Sequence, residues 1–322
     1  MNPGEISKRH FLTQYVIWLV TSHHTTMDNS YPPSIINKGV SWDLVKSHYP
    51  GSTNVRSFQT IDKDVGIRDL RDAIPRHCFQ ASYVTSFSYL TRDLFGVAGL
   101  SALAMITIPG IDNYYCRITA WLSYGFVQGL FGTGLWVLAH ECGHGGFSPS
   151  QKLNDLVGWI LHSVLLTPYF AWKSTHKRHH IYANHMEKDH HYVPLRRDTY
   201  AAKLGISTEE LSELSTDAPI VTFIRIIIQQ LVGWPWYILF NITSGPESTY
   251  PRVRGRWWQN SHFDPTSSLF NRDEFLFIII SDVGMSLTVS GLWYLARNFG
   301  LQTVFFLYIV PWLWVNHWIG TY

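Results

Sequence analysis

The sequence predicts an all-α integral membrane protein, with about four transmembrane helices in two hairpins, interfacial helices and a cytosolic cap. Charged residues make up only 15% of the 322 residues, whereas an ordinary soluble domain carries about 25%. The mean hydropathy of −0.02 is low for a bundle lying wholly in lipid, so several spans and a large polar portion on one side are expected. The net charge of +2 argues against nucleic-acid binding.

The N-terminal residues 1–60 are expected to form a poorly ordered cytosolic extension, because residues 21–60 are polar and rich in turn-forming residues. The apolar run 11–20 is too short to cross a bilayer. Cys78, Cys116 and Cys142 are an odd and widely spaced set, which favours a reducing or cytosol-facing environment over a disulfide framework.

Apolar stretches after residue 80 predict the membrane-spanning helices, since a spanning helix needs roughly 20 mostly apolar residues. The four predicted spans are residues 94–109 extended backward through 83–90, then 118–139, 275–295 and 301–319. Residues 153–172 and 220–242 carry polar groups at mid-length. We therefore place these two segments at the membrane interface or in the protein interior.

The distribution of basic residues predicts the orientation. Residues 173–203 hold a concentration of lysine and arginine, so the positive-inside rule places this large loop in the cytosol. The loops 109–115 and 297–302 are then short turns on the far side, with both termini and the central loop in the cytosol.

Two histidine clusters flank the segment 153–172. His140 and His144 lie four residues apart at the end of the second predicted span. On a helix such residues face the same way, about 5–6 Å apart, so both imidazoles can meet one metal. In the second cluster His176, His179 and His180 share a helical face, a spacing that again suits a metal ion. Both clusters fall on the cytosolic side of the predicted topology.

The other histidines carry weaker signals. We interpret five of them as ordinary loop residues: His23, His24, His48, His77 and His262. Three others are intermediate because they share the loop of the second cluster: His185, His190 and His191.

Other interpretations of the clusters remain open. The second cluster lies among basic residues and could be a solvated run near anionic lipid headgroups. His140, Glu141 and His144 also match the pattern of zinc metalloproteases, in which two ligands flank a general base. That interpretation needs a third ligand, which Asp282 could supply, and it leaves the second cluster without a role.

Several motifs together resemble the membrane-bound fatty-acyl desaturases of the oleate (delta-12) type, in their fungal form. They are HECGH at 140–144, PYFAWKSTHKRHH at 168–180, MEKDHHYVP at 186–194, DLRDAIPRHCF at 69–79 and HFDP at 262–265. The resemblance covers roughly residues 64–322, so that residues 61–322 are expected to form the membrane-bound desaturase domain.

The resemblance implies a multi-pass enzyme of the endoplasmic-reticulum membrane, with its histidines facing the cytosol. It would use two iron ions and dioxygen, and would receive electrons from cytochrome b5 and its reductase. The substrates would be acyl chains of membrane lipids. The implied iron ligands are His140, His144, His176, His179 and His180. Five aromatic residues are candidates for an acyl tunnel: Phe131, Trp136, Tyr169, Phe170 and Trp172.

The sequence departs from the family pattern in two places. The family carries a third His-x-x-His-His box after the last span, and no such motif follows His317. We therefore expect a C-terminally truncated domain, either active or an inactive desaturase-like membrane protein. Gly146 occupies a position at which acetylenases, conjugases and hydroxylases of the family tend to have glycine. Either an alternative product or neutral drift accounts for this glycine.

Overall fold

The computed structural model describes residues 66–194, 196–216, 219–241, 243–250 and 260–320. Within these ranges the regular structure is entirely helical, which confirms the predicted all-α class. The expected N-terminal extension 1–60 and its boundary lie outside the described residues.

The chain divides into two units, Met1–Gln80 and Ala81–Tyr322. The described part of the first unit contains helix α1 (Ile67–Asp72) and a 3₁₀ turn (Arg76–Phe79). The Arg71 guanidinium lies 5.6 Å from the centroid of the Phe79 ring, a cation–π contact within this unit.

The second unit begins with a helical hairpin. Helix α2 (Tyr83–Thr107) is capped by Ser82, and α3 (Tyr114–Gly143) is capped by Asn113, whose side chain accepts a hydrogen bond from the Cys116 N–H at 3.0 Å. These caps satisfy backbone donors that lack helical partners. Helix α3 is 30 residues long and runs without interruption from the predicted span into the first histidine cluster.

The segment 153–172, expected to be one interfacial stretch, forms two helices, α4 (Gln151–Val164) and α5 (Tyr169–Tyr182). Pro168 disfavours helix at the residue before it, and Leu166 adopts a left-handed φ of 53°. The chain therefore turns here and brings the second histidine cluster beside the first. The polar portion continues with α6 (Arg197–Leu204) and α7 (Thr208–Thr216), which lead to the apolar α8 (Pro219–Phe240).

The last helical segments follow one another closely in the sequence. A 3₁₀ turn (Arg272–Glu274) leads into α9 (Phe275–Phe299), which is followed by α10 (Leu301–Val304), a π-helical segment (Phe305–Ile309) and α11 (Val310–Gly320). Pro311 has no N–H for the carbonyl of Leu307. That carbonyl instead accepts a hydrogen bond from the Tyr124 hydroxyl on α3 at 3.3 Å. The fourth predicted span is thus a run of three consecutive helical segments.

Three helices among the described residues are long and apolar enough to cross a membrane: Tyr83–Thr107, Tyr114–Gly143 and Arg272–Phe299. Apolar side chains project outward from them. Ile106 is 80% exposed and Leu276 is 68% exposed. Contiguous exposed apolar faces of this kind are typical of helices that have lipid as their solvent.

Small residues allow α3 to approach α11 closely. A Cβ on Gly129 would contact the Trp314 side chain and lie 3.3 Å from the Pro311 carbonyl oxygen, and a Cβ on Gly132 would lie 2.7 Å from Val315. Because lipid tails are as apolar as the side chains, helices in a membrane associate mainly through such close packing. This contact holds the last helix against the helix that carries His140.

We predict that Gly129→Ala separates α3 from α11 and lowers the stability of the detergent-solubilised protein by about 1–3 kcal/mol, the typical cost of overpacking. The measurement is the thermal midpoint followed by size-exclusion fluorescence. Gly291→Ala is the matched control, because a Cβ at Gly291 has no neighbour within 4 Å. Equal midpoints for both variants would contradict the packing role of Gly129.

Candidate metal centre

Four of the five predicted ligands meet at one point. His140 and His144 lie at the C-terminal end of α3, and His176 and His180 lie on α5, one helical turn apart. One nitrogen from each of these residues lies within 4.8 Å of the others. We call these residues the four-histidine cluster.

The distances within the four-histidine cluster fit a shared metal ion. The Nε2 atom of His176 lies 2.9 Å from the Nε2 atoms of both His140 and His180, and the Nε2 atoms of His144 and His140 are 3.2 Å apart. Imidazole nitrogens about 2.1 Å from one metal would be separated by roughly 3.0 Å at right angles. Imidazole suits iron, zinc and other transition metals, so the residues present fit such an ion.

Glycines bring the two halves of the cluster together. A Cβ on Gly143 would lie 2.9 Å from the Trp172 ring, so the bare Cα lets α5 approach the end of α3. Gly145 then leaves the helix with a left-handed φ of 75°, a conformation that glycine adopts without strain. The chain turns away immediately after His144 and leaves its imidazole beside α5.

Tryptophan side chains enclose the cluster. Trp172 stacks on His176 with 4.4 Å between ring centroids and 21° between planes, and Trp136 lies 5.6 Å from His140. Burial, followed by the charges of neighbouring histidines, holds the pKa values of His144 and His176 well below the ordinary value. Both imidazoles are therefore neutral at pH 7, the form that binds a metal.

Two carboxylates contact the Nδ1 atoms of histidines and orient their rings. The Glu141 carboxylate lies 3.2 Å from Nδ1 of His140, and the Asp189 carboxylate lies 2.6 Å from Nδ1 of His179. Although burial acts to raise the pKa of Asp189, hydrogen bonds from His179 and the His191 N–H lower it, so the group is ionised. A carboxylate on Nδ1 fixes the tautomer in which Nε2 is available to a metal.

His179 lies next to the four-histidine cluster rather than in it. Its ring stacks 5.7 Å from that of His176 and meets the ring of His191 edge-on at 5.0 Å. His191 comes from the loop after α5 and had only an intermediate signal in the sequence, because its position matches no recognised ligand spacing.

A buried hydrogen-bond chain anchors α5. The Tyr237 hydroxyl donates to Thr175 Oγ1 at 3.3 Å, Thr175 Oγ1 contacts His262 Nε2 at 3.1 Å, and His262 Nδ1 donates to the Ile238 carbonyl at 3.1 Å. His262 lies in a loop as expected, yet it is completely buried, so its interpretation as an ordinary loop residue was wrong. Burial lowers the pKa of His262 to about 3.

Other residues highlighted by the sequence take different positions. His162 on α4 is completely buried and packs against Trp136 and Trp172, 5.2 and 4.8 Å away. Two of the proposed tunnel residues therefore pack between histidines. Asp282 does not belong to the four-histidine cluster in the described residues, which removes the support for a protease site.

Gly146 makes room for the Glu141 carboxylate. A Cβ at this position would lie 2.9 Å from Glu141 Oε2 and 3.5 Å from the Glu141 carbonyl oxygen. A side chain there would therefore force the Glu141 carboxylate, which contacts His140, to move.

Comparisons with known proteins agree with these motifs. Residues 119–322 match the family model for fatty acid desaturases. The chain is 38% identical over 283 residues to an oleate hydroxylase of Claviceps purpurea, covering 85% of the chain and 59% of that enzyme. It is 41% and 38% identical over 297 residues to the delta(12) fatty acid desaturases of Mortierella isabellina and Mortierella alpina, covering 89% of the chain and 72% of each relative.

We predict that Thr175→Val lowers the free energy of unfolding by about 1–3 kcal/mol, because it leaves the Tyr237 hydroxyl and His262 Nε2 buried without their shared partner. Thermal midpoints in detergent measure this effect. Thr107→Val is the control, since Thr107 Oγ1 bonds only within its own helix at an exposed position. An unchanged midpoint for Thr175→Val would contradict the anchoring role of the chain.

Proposed function

Because the chain belongs to the fatty acid desaturase family, we propose that it introduces a double bond into a membrane acyl chain, at the delta-12 position. The reaction removes one hydrogen from each of two adjacent methylenes. Dioxygen takes up these two hydrogens together with two electrons and two protons and becomes two waters, so a reductant that supplies the two electrons is required. We propose cytochrome b5 with its reductase as the electron source, as the family resemblance implies.

The convergence of four Nε2-bearing imidazoles is the single observation that carries this proposal. The four-histidine cluster would hold one ion of a di-iron centre. His179 would be a ligand of the second ion. When bound, iron supplies the dioxygen chemistry needed to remove hydrogen from an unactivated methylene, which zinc does not supply.

The surrounding residues hold and shield the ligands. Glu141 and Asp189 fix the Nδ1 side of His140 and His179, an arrangement that typically contributes 10–100-fold to metal affinity or activity. Trp172 is 1% exposed and covers His176, which excludes water from this side of the cluster.

The membrane location suits the substrate. An acyl chain is already dissolved in the bilayer, and the cluster lies at the end of α3, one of the candidate spans. We propose residence in the endoplasmic-reticulum membrane with the histidines facing the cytosol. The basic residues between 173 and 203 support this orientation, and it would expose the site to a cytosolic electron donor.

Hydroxylation is the second candidate. It is supported by the 38% identity to the Claviceps purpurea protein named as an oleate hydroxylase. In that reaction one oxygen atom of dioxygen is inserted into a C–H bond, and the other becomes water with two electrons from the same reductant and two protons. Family members that form triple bonds or conjugated dienes also tend to have glycine at the position of Gly146, which lies beside Glu141. Acetylenic and conjugated products are therefore further alternatives.

We predict that the chain, expressed in a yeast that makes no polyunsaturated acids, produces a dienoic acid detectable by mass spectrometry of its fatty acids. A hydroxylated, conjugated or acetylenic product would instead identify the alternative reaction. His176→Ala should abolish the product while the protein still accumulates in the membrane. The substitution removes the imidazole whose Nε2 atom lies 2.9 Å from those of both His140 and His180.

His185→Ala is the matched control, because His185 is exposed and outside the four-histidine cluster. It should retain the product. Activity retained by His176→Ala would overturn the ligand assignment, and absence of any product from membrane-inserted wild-type chain would count against the activity of this chain.

A further inference from the structure

Two further imidazoles, those of His179 and His191, lie beside the four-histidine cluster. We propose that His191 is a metal ligand of this chain, paired with His179 at a second metal position. The inference rests on the proposed function only in taking the metal to be iron. His190 and His191 are adjacent, but no histidine lies three residues before His190, so the argument depends on geometry.

The rings of His179 and His191 lie about as close together as the rings within the four-histidine cluster. Their centroids lie 5.0 Å apart. Within the four-histidine cluster, the pairs whose Nε2 atoms converge have centroids 4.3 to 4.8 Å apart, and His144 and His180 are 5.1 Å apart. The His179–His191 pair falls in the same range as residues that can share an ion.

Asp189 prepares both residues for this role. Its carboxylate contacts Nδ1 of His179 at 2.6 Å and accepts the backbone N–H of His191 at 2.9 Å. The first contact leaves Nε2 of His179 for a metal, and the second fixes the backbone from which the His191 side chain projects. The contact to His179 is the histidine–carboxylate pairing found behind metal ligands.

The loop that carries His191 is fastened along its length. The Gly245 N–H donates to the Asp189 carbonyl at 2.8 Å, the Thr243 hydroxyl donates to the His191 carbonyl at 2.6 Å, and the Val193 N–H donates to the Thr243 carbonyl at 2.7 Å. A loop held by these bonds positions its side chains with little conformational freedom, as a ligand-bearing segment requires.

The side chain of His191 is directed inward. Its ring packs 4.8 Å from that of Tyr237 and 6.3 Å from that of His176. A purely structural role would use the ring only for packing on Tyr237. A ligand role requires a nitrogen as well, and the two roles can be separated by substitution.

The test measures the number of iron ions bound per chain. The purified chain in detergent is stripped with a chelator and reloaded anaerobically with ferrous iron, and metal per chain is measured by inductively coupled plasma mass spectrometry. We expect about two ions in the wild type and about one in His191→Phe, which keeps an aromatic ring but no ligand. His191→Cys, which restores a ligand atom, should return the count to about two.

Two controls separate this inference from the proposed function. His185→Ala, an exposed histidine of the same loop, should bind as much iron as the wild type. His176→Ala should lose the ion of the four-histidine cluster. One ion in the wild type that is lost in His176→Ala, or an undiminished count in His191→Phe at an unchanged thermal midpoint, would overturn the second position alone. No iron in the wild type would overturn both.

Discussion

The contact between the C-terminal end of α3 and α5 is the constraint on which the rest of the site depends. It places Nε2 of His176 2.9 Å from Nε2 of His140, and neither helix could form the cluster alone. Imidazoles at such distances need an environment that keeps them neutral and oriented, since two buried protonated imidazoles would repel each other. The tryptophans, the glycine at 143 and the anchoring of Thr175 all serve this approach.

The membrane helices and this contact are coupled through α3. This helix packs on α11 through glycines in its middle and continues into HECGH at its end. Because it is one uninterrupted helix, its position in the bilayer also fixes His140. Helix α5 is held by the buried hydrogen-bond chain through Tyr237 and His262. The site therefore lies between the end of one candidate span and a helix that is held by α8 and by the loop of His262.

Much of this arrangement could be predicted from sequence, because it depends on local periodicity. The spans 118–139 and 275–295 and the helical facing of His140 and His144 follow from residue spacing alone. Two features could not be predicted. The break at Leu166 depends on a left-handed residue that no apolar pattern reveals. The burial of His262 depends on Thr175, 87 residues away in sequence.

The carboxylates illustrate a further limit of spacing arguments. Glu141 is adjacent to the histidine it contacts, whereas Asp189 reaches His179 across ten residues and a turn. Both act on Nδ1 and so leave Nε2 as the outward nitrogen. Since the same device is built from a neighbour in one case and a distant loop in the other, only the folded chain identifies it. That equivalence supports the proposed metal position at His179, separate from the four-histidine cluster.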